Sequence, residues 1–426
     1  MIDVKKESEK NFKTALLVGI QDQNNSSFDA REHLNELSEL ARTLGIEQRH
    51  EIFAIVKDVN PGFYVGSGKA EEIANFAKEC LAEIIIFDCE LSPSQQRNLE
   101  ELSKLPVIDR QEVIIDIFAS RAKTKEAVLQ VELARYKYFL PRLKRAWTHL
   151  SRQRGGALGT RGEGEQQIEV DRRIIKRKIS ILQKELLEIQ KRRQIERNLS
   201  EKSQIPRIAI VGYTNAGKSS LLRTLTNADV YIEDKLFATL DTTSRKLKLN
   251  SGNVIVSDTV GFIRKLPHTL VEAFKSTLEE ALYADILVHV LDISSPYWEE
   301  HMKTTISVLD ELGAGEKEII TVFNKTDILD DSLKKAILKS TIPDGIFISA
   351  KTSEGIEELK KAIEKKIEKF NLKILIKIPP QRHDIVALAH RTSKVLSIKY
   401  LRNGYIEMLI NVPKIHKTKF ENFKTK

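Results

Sequence analysis

Cysteine is scarce in this sequence, and long apolar runs are absent. The 426 residues include two cysteines, Cys80 and Cys89, which is too few for a disulfide framework. No Cys/His cluster has zinc-site spacing, and no apolar run reaches the roughly 18 residues of a membrane span. The first residues also lack the apolar core of a signal peptide. These absences predict a cytoplasmic protein without a membrane span, and they leave peripheral membrane association open.

The charge distribution shows two strongly basic segments. The chain carries 69 Lys and Arg against 60 Asp and Glu, a net charge of +9. Residues 141–200 hold 16 basic and 7 acidic side chains, and residues 371–426 hold 12 and 3, so each segment is at +9 and the remainder is at −9. This distribution favours a polyanionic partner such as RNA, although charge clustering alone fits a solvated helix face as well.

The apolar pattern predicts a multidomain α/β protein in four parts. Residues 1–124 alternate apolar runs with helical patterns, which predicts a small α/β domain with a parallel sheet. Residues 125–200 predict a helical hairpin with a glycine-rich basic tip. Residues 201–370 repeat strand–loop–helix units, which predicts a mostly parallel central sheet. Residues 371–426 predict a small basic α+β domain, with an Asn-Gly hairpin turn at 403–404.

Individual elements follow from the same pattern. Strands are predicted at 14–20, 82–88 and 106–110, each a short run of apolar residues. The helices of the hairpin are predicted at 125–147 and 168–198.

Residues 212–219, GYTNAGKS, fit the pattern G-x-x-x-x-G-K-[ST] of a phosphate-binding loop in full. A strand-like run precedes the motif and a helical run follows it, so backbone N–H groups at the helix N-terminus are expected to wrap a β-phosphate. Lys218 is expected to neutralise the β- and γ-phosphates, and the Ser219 hydroxyl to bind Mg²⁺. The sequence GSGKA at 66–70 lacks the first glycine of the pattern, so we interpret it as an ordinary turn or a non-nucleotide contact.

Three further motifs follow in the order and spacing of a GTPase. In DTVG (258–261), Asp258 is expected to hold the magnesium shell through water, and the Gly261 N–H to bond the γ-phosphate. In NKTD (324–327), Asp327 can accept the N1–H and N2–H₂ of guanine. Asn324 can bond the O6/N7 side of the base and tie the base loop to the phosphate loop, while the Lys325 stem covers the ring.

The motif SAK (349–351) follows a predicted strand and is expected to offer a backbone N–H to guanine O6. The four motifs together predict that the protein binds GTP and GDP.

Two features of the sequence bear on hydrolysis. The segment LFATLDTTSRKL (236–247) lies where the first switch is expected, and its residues Thr239, Thr242 and Thr243 are equivalent candidates for sensing magnesium. Phe262 follows Gly261 where the best-known GTPases have a glutamine that orients the attacking water. Because phenylalanine cannot orient water, we expect its ring to point away from the nucleotide, the isolated protein to be slow, and a partner to stimulate it.

The sequence resembles the HflX family of translational GTPases over nearly its whole length. GYTNAGKSSLL, LFATLD, DTVGFIRKLPH, NKTD and SAK are similar to the family's nucleotide motifs. YVGSGK, LSPSQQRNLE, VIDRQEVIIDIFASRA, QVELA, HLSRQRGG and EVDRR are similar to its N-terminal domain and helical linker. The resemblance implies that Thr239 is the switch-one magnesium ligand, although the family usually has proline where this chain has Thr242. It also implies that the family shares the missing glutamine.

The same resemblance implies ribosomal partners. Family members bind the 50S subunit and 70S ribosome, and in bacteria they split stalled or idle ribosomes. Their N-terminal domain and hairpin tip approach the peptidyl-transferase region. We therefore expect a monomer that binds ribosomal RNA, dissociates ribosomes in its GTP state and is released on hydrolysis, with Arg152, Arg154 and Arg161 of the tip contacting the RNA. Without the resemblance, the tip would be read as a disordered loop.

The predicted site has three overlapping sets of residues. The catalytic residues are Lys218, Thr239 and Gly261, and the metal ligands are Ser219 and Thr239, with Asp258 acting through water. The predicted nucleotide contacts are Gly212, Tyr213, Thr214, Asn215, Ala216, Gly217, Lys218, Ser219, Ser220, Phe237, Ala238, Thr239, Leu240, Asp241, Asp258, Thr259, Val260, Gly261, Asn324, Lys325, Thr326, Asp327, Ser349, Ala350 and Lys351.

Two alternative functions remain. A GTP-gated assembly factor of the large subunit would leave precursor particles when it is depleted. An RNA-binding or RNA-remodelling ATPase that uses GSGKA would turn over ATP even after loss of Lys218.

Overall fold

The computed structural model describes residues 12–22, 27–143, 163–201, 205–226, 236–237, 243–250, 252–265, 280–328, 332–413 and 417–424. The chain forms two compact units. The first unit comprises Met1–Gln194, Glu233–Asp241 and Arg264–Thr277, and the second comprises Ile195–Ile232, Thr242–Ile263 and Leu278–Lys426. Two short segments of the predicted GTPase region therefore belong to the unit that consists mainly of N-terminal residues.

A four-stranded, all-parallel sheet with strand order β2-β1-β3-β4 forms the framework of the first unit. Its strands are β1 (Thr14–Gln21), β2 (Gln48–Ile55), β3 (Ile84–Phe87) and β4 (Val107–Asp109), and its helices are α1 (Ser27–Thr43), α2 (Ser67–Glu79), α3 (Pro93–Ser103) and α4 (Arg110–Arg121). The parallel α/β sheet is confirmed, and so are its three predicted strands within a few residues. Strand β2 escaped prediction because it lies at the sheet edge, where only one of its residues is buried and charged residues interrupt the apolar pattern.

The GSGKA segment begins a helix, so its interpretation as an ordinary turn was wrong. Gly66 is the N-cap of α2, and Ala70 is buried in the first unit's core. The Lys69 amine pairs with Glu72 at 2.6 Å on the helix surface. Most residues from Lys69 to Glu79 are good helix formers, which favours the helix despite Gly68 in its first turn. A lysine that points along its own helix to Glu72 does not resemble a phosphate-loop lysine.

Two long helices continue the first unit. They are α5 (Lys125–Phe139), followed by a single 3₁₀ turn (Leu140–Arg142), and α6 (Glu163–Glu201). Leucines of both helices form one cluster, Leu129, Leu133, Leu182 and Leu186. Arg193 pairs with Glu126 at 2.8 Å, so the two helices run antiparallel, as predicted. The helix predicted at 125–147 is interrupted by that turn, where Pro141 has no N–H to continue the helix. Leu143 is helical again, and residues 144–147 lie outside the described residues. The tip arginines Arg152, Arg154 and Arg161 lie outside the described residues.

The second unit contains a six-stranded sheet with strand order β10-β9-β8-β5-β7-β6. Only the β6–β7 pair is antiparallel, which confirms the predicted mostly parallel sheet. Its strands are β5 (Arg207–Gly212), β6 (Thr243–Leu249), β7 (Gly252–Asp258), β8 (Ile286–Asp292), β9 (Glu318–Asn324) and β10 (Ile346–Phe347), and its helices are α7 (Lys218–Thr226), α8 (Trp298–Glu311), α9 (Ser332–Thr341) and α10 (Ile356–Phe370). The central strands are buried on both faces, which explains their nearly continuous apolar sequence.

A separate antiparallel sheet with strand order β11-β13-β12 follows. Its strands are β11 (Asn371–Ile378), β12 (Lys394–Tyr400) and β13 (Ile406–Pro413), accompanied by the helices α11 (His383–Thr392) and α12 (Lys417–Phe420). The predicted Asn-Gly turn joins β12 to β13: Gly404 has φ +77°, and its N–H donates to the Leu401 carbonyl at 3.0 Å. The small α+β fold is therefore confirmed. Within the described parts of the chain, no helix combines the length and apolarity that crossing a membrane requires.

Candidate nucleotide site

The predicted phosphate loop leaves the carboxyl end of β5 and enters α7. Lys218 is the first residue of α7, and its amine donates to the Tyr213 carbonyl at 2.6 Å. Its side chain is almost fully buried. Burial lowers the pKa of Lys218 to about 8, and the nearby Asp258 carboxylate partly opposes that effect. A cationic amine is therefore held inside the loop, where a phosphate charge would restore its ordinary pKa.

Two glycines bring the other motifs against this loop. Gly217 has φ +91°, and a Cβ at this position would lie 2.2 Å from Nδ2 of Asn324. A Cβ at Gly261 would lie 2.9 Å from both Nζ of Lys218 and Cα of Thr214. Neither position accepts a side chain without displacing its neighbours, since real Cβ contacts are not that short. The structure therefore brings Gly261 beside the lysine with which it is predicted to act.

The predicted magnesium ligands meet at the same end of the sheet. Asp258 ends β7 and is fully buried, and its Oδ2 accepts a hydrogen bond from the Ser219 hydroxyl at 2.5 Å. Hydroxyl and carboxylate oxygens are the donors that Mg²⁺ prefers, so this pair fits the ion. The neighbouring Thr259 is also buried, but its hydroxyl donates to the Ile210 carbonyl at 2.7 Å, which is a backbone-fixing role. Ala238, Thr239, Leu240 and Asp241 lie outside the described residues.

Phe262 is joined to the phosphate loop by its backbone. Its N–H donates to the Gly212 carbonyl at 3.1 Å, and its carbonyl accepts from the Thr214 N–H at 2.8 Å. The ring is 1% exposed. A buried ring presents no surface to an attacking water, so this position contributes to the fold and offers no group to the chemistry.

Asn324 ties the base loop to the phosphate loop. Its Nδ2 donates to the Ala216 carbonyl at 2.8 Å, and its Oδ1 accepts from the Ala350 N–H at 3.0 Å. The Thr224 hydroxyl of α7 donates to the Ala350 carbonyl at 2.8 Å. Asn324 was expected to bond the guanine base and to connect the base loop to the phosphate loop. The structure shows the connection, because the nitrogen and the oxygen of its amide each form a hydrogen bond with a protein group.

The residues predicted to bind guanine are themselves held in place. The Ser349 hydroxyl donates to Oδ1 of Asp327 at 2.7 Å and accepts the Thr352 N–H at 3.1 Å. Lys325 has φ +67°, and its amine pairs with Asp292 at 2.7 Å. The Asp327 carboxylate is thus oriented by the serine of the SAK motif, and the amine at the end of the Lys325 side chain is held by Asp292.

Three residues of this site escaped sequence reasoning. Asp292, the partner of Lys325, ends β8 and belongs to no motif. His301 of α8 stacks on the ring of Tyr213, with centroids 3.8 Å apart and an angle of 12° between the planes. His289 lies buried in β8, where burial and then the charge of Lys218 lower its pKa to about 4. For His289, the sequence offered one indication: the residue lies within an apolar strand, ILVHVLD, which predicts that its side chain is buried.

Among the described residues, one predicted nucleotide contact lies in the first unit. Phe237 belongs to the first unit, where its ring packs on Phe118 of α4 with centroids 4.6 Å apart. The other predicted nucleotide contacts among the described residues belong to the second unit. They lie at the carboxyl ends of its parallel strands, in the loops that follow them or in the first turn of α7. That edge is where open α/β sheets bind ligands.

Three family models match the chain in sequence order. They are described as GTP-binding GTPase N-terminal (residues 31–119), GTP-binding GTPase Middle Region (121–199) and 50S ribosome-binding GTPase (207–325).

Curated relatives match this chain over most of its length. The chain is similar to GTPase HflX of Caldanaerobacter subterraneus subsp. tengcongensis, with 49% identity over 368 residues, covering 86% of this chain and 83% of that protein. GTPase HflX of Akkermansia muciniphila is 42% identical over 421 residues, covering 96% of both chains. GTPase HflX of Escherichia coli is 39% identical over 384 residues, covering 90% of both chains.

Proposed function

Because the chain belongs to the HflX family of GTPases, which bind and hydrolyse GTP, we propose that it acts on the ribosome. In its GTP state it binds the 50S subunit and the 70S ribosome and dissociates stalled or idle ribosomes. Hydrolysis of GTP then releases it. One observation carries this proposal. The nucleotide site is assembled around Lys218 and Gly261, yet the position that would order the attacking water is a buried phenylalanine. A GTPase built in this way depends on a partner to complete its chemistry.

The phosphate end of the site supplies positioning and charge. The Lys218 amine neutralises negative charge on the β- and γ-phosphates, and the Gly261 N–H bonds the γ-phosphate. Mg²⁺ would be held by the Ser219 and Thr239 hydroxyls, with Asp258 acting through water, and would neutralise charge on the phosphate oxygens. Because phosphoryl transfer has a loose transition state, these groups support a basal rate without a protein base.

The base end selects guanine. Asp327, oriented by Ser349, accepts the two N–H donors on the Watson–Crick edge of guanine, and adenine does not present that pair. Asn324 keeps this loop in register with the phosphate loop. The stem of Lys325 covers the base while Asp292 holds its amine.

Water ordering is left to the partner. In related enzymes, completing the site with an external group is worth about 10³–10⁵-fold in turnover. The two basic segments, 141–200 and 371–426, suit the phosphates of ribosomal RNA. Within the first of them, Arg152, Arg154 and Arg161 are the residues we assign to RNA contact. Replacing all three with alanine is expected to weaken ribosome binding and its salt dependence while GTP affinity stays intact.

The deciding experiment is GTP turnover by the purified protein alone, then with 30S subunits, 50S subunits or 70S ribosomes, in parallel with sedimentation of the ribosomes. We expect strong stimulation by 50S and 70S, none by 30S, and conversion of 70S into subunits with GTP. The Lys218→Ala variant serves as the control for nucleotide-dependent events. Stimulation without dissociation would restrict the function to ribosome binding, and an absence of both would refute the proposal.

A further inference from the structure

Strand β12 of the C-terminal sheet carries exposed apolar side chains along an open edge. Four large apolar side chains are exposed among the described residues from 371 onward, and three of them lie on this strand: Leu396 at 42%, Ile398 at 36% and Tyr400 at 79%. Within the described part of the chain, β12 pairs with β13 alone. The opposite edge strand, β11, is bridged at Ile376 by Lys424. The sheet therefore has one covered edge and one open edge.

The backbone of β12 offers hydrogen-bonding groups at the open edge. The Leu401 N–H donates to the Tyr405 carbonyl at 2.9 Å, beside the turn that joins β12 to β13. Opposite residues of an antiparallel pair alternate between hydrogen-bonded and non-hydrogen-bonded, so the residues one and three positions before Leu401 are not bonded to β13. These residues are Tyr400 and Ile398. Their N–H and C=O groups point outward, where a further strand can pair with them.

The side chains of the same two residues extend the core beyond the edge. Ile398 lies opposite Met408, and Tyr400 lies opposite Ile406. Met408 and Ile406 are buried in the core cluster that includes residues of α11. Since opposite residues share a face of the sheet, a strand added beside β12 would place alternate side chains over Ile398 and Tyr400 and remove them from water.

The other face of this edge is basic. Lys399 lies opposite Glu407, which lies opposite Lys377 of β11, so two lysines flank one glutamate across the sheet. Lys399 and the following Arg402 are both exposed. The segment 371–426 as a whole holds 12 basic and 3 acidic side chains. A side chain that an added strand places beside Lys399 is therefore favoured when it is acidic.

We propose that β12 is a docking edge for an extended protein segment that alternates apolar and acidic residues and joins the three-stranded sheet as a further strand. The apolar residues of that segment cover Ile398 and Tyr400, an acidic residue pairs with Lys399, and its backbone bonds the outward N–H and C=O groups. A second copy of this chain fits the edge less well, because self-pairing brings together two segments that each carry +9. The docking edge shares no residue with the nucleotide site, so its occupancy is expected to be the same with GTP and with GDP.

The test is binding of a fluorescent peptide of alternating valine and glutamate to the full-length protein, measured by anisotropy. We expect saturable binding, and binding about tenfold weaker for a peptide of the same composition with its valines grouped together. Hydrogen exchange of the β12 amides should slow in the complex, because the outward N–H groups become bonded. No saturable binding of the alternating peptide would overturn the proposal.

Substitutions separate the apolar contribution from the charge. Ile398→Thr combined with Tyr400→Thr keeps residues that favour strands and should weaken binding by about tenfold or more. Leu375→Thr is the matched control, because Leu375 is 37% exposed on β11 and should not matter. Lys399→Glu should exchange the preference, so that a peptide of alternating valine and lysine becomes the tighter ligand.

Several results would contradict this assignment. Equal peptide affinities of the double variant and Leu375→Thr would overturn it, and so would a Lys399→Glu variant that still prefers glutamate. Sedimentation that shows a wild-type dimer, lost in the double variant, would assign the edge to a second copy. Displacement of the peptide by oligouridylate, with oligouridylate the tighter ligand, would assign the edge to RNA. GTP turnover and its stimulation by 50S are measured without the peptide, so a failure here is distinguishable from a failure of the proposed function.

Discussion

The backbone N–H of Thr214 donates to the carbonyl of Phe262 at 2.8 Å, which joins the phosphate loop to the residue that replaces the water-orienting glutamine. The reciprocal bond from the Phe262 N–H to Gly212 completes a short parallel bridge. Phe262 therefore serves the site through its main chain, which positions Gly261, while its ring packs inside the protein.

Phe262→Gln should not produce a faster GTPase. The ring is 1% exposed, so a glutamine there must bury an amide or break the bridge to the phosphate loop. We expect a loss of about 2 kcal/mol of stability and no increase in ribosome-free turnover. Chemical denaturation and single-turnover hydrolysis measure the two effects, with Phe262→Leu as the apolar control. A tenfold faster Phe262→Gln enzyme would show that this position faces the nucleotide.

Gly217→Ala should weaken GDP binding at least tenfold. Its Cβ would lie 2.2 Å from the amide of Asn324, and the positive φ adds strain. Gly313→Ala is the matched control, because Gly313 has φ +81° and open space around the Cβ position. That control should lose about 1 kcal/mol of stability with unchanged GDP affinity. Equal GDP affinities of the two variants, measured by calorimetry, would contradict a role for the contact between Gly217 and Asn324.

Asp327→Asn should exchange guanine preference for xanthine preference. The carboxylate, held by Ser349, accepts N–H donors from guanine, whereas an amide can donate to the carbonyl that xanthine has in place of the exocyclic amine. We expect GDP affinity to fall by a factor of roughly ten or more, and xanthosine diphosphate to become the tighter ligand. Competition binding with both nucleotides decides this, and a variant that still prefers GDP would disprove the base assignment.

His289 should make the second unit sensitive to acid. Its pKa is lowered from 6.5 to about 4 by burial, so the unfolded chain binds a proton at a higher pH than the folded chain does. Stability is therefore complete above pH 6.5 and falls as the pH drops toward 4, by up to about 3 kcal/mol. His289→Gln should reduce this dependence.

Fluorescence provides a measurement specific to that unit. The chain has two tryptophans, Trp147 and Trp298. In a Trp147→Phe background, Trp298 alone reports on unfolding of the second unit at each pH. His33→Gln, which changes a buried histidine of the first unit, should leave that curve unaltered. An identical pH dependence with and without His289 would disprove its contribution.

Sequence reasoning was most successful where a local pattern determines local structure. The phosphate loop, Asp258 and the base motifs lie at strand ends, as predicted. A buried parallel strand has a nearly continuous apolar sequence, so the polar residues that follow it mark its end. Sequence reasoning was weaker at β2 and β6, whose partly exposed sequences mix charged and apolar residues. Asp292 and His301 have no motif, since their partners are distant in sequence.

By itself, the sequence determined the type of nucleotide, the order of the elements and the absence of a glutamine after Gly261, since each depends on residues within a few positions of one another. Only the tertiary structure decided which residues meet across long separations: Asn324 with Ala216, His301 with Tyr213, and Lys265 with Asp88. A charge pattern cannot specify such partners, because a lysine pairs with any nearby carboxylate and the fold alone decides which one is near.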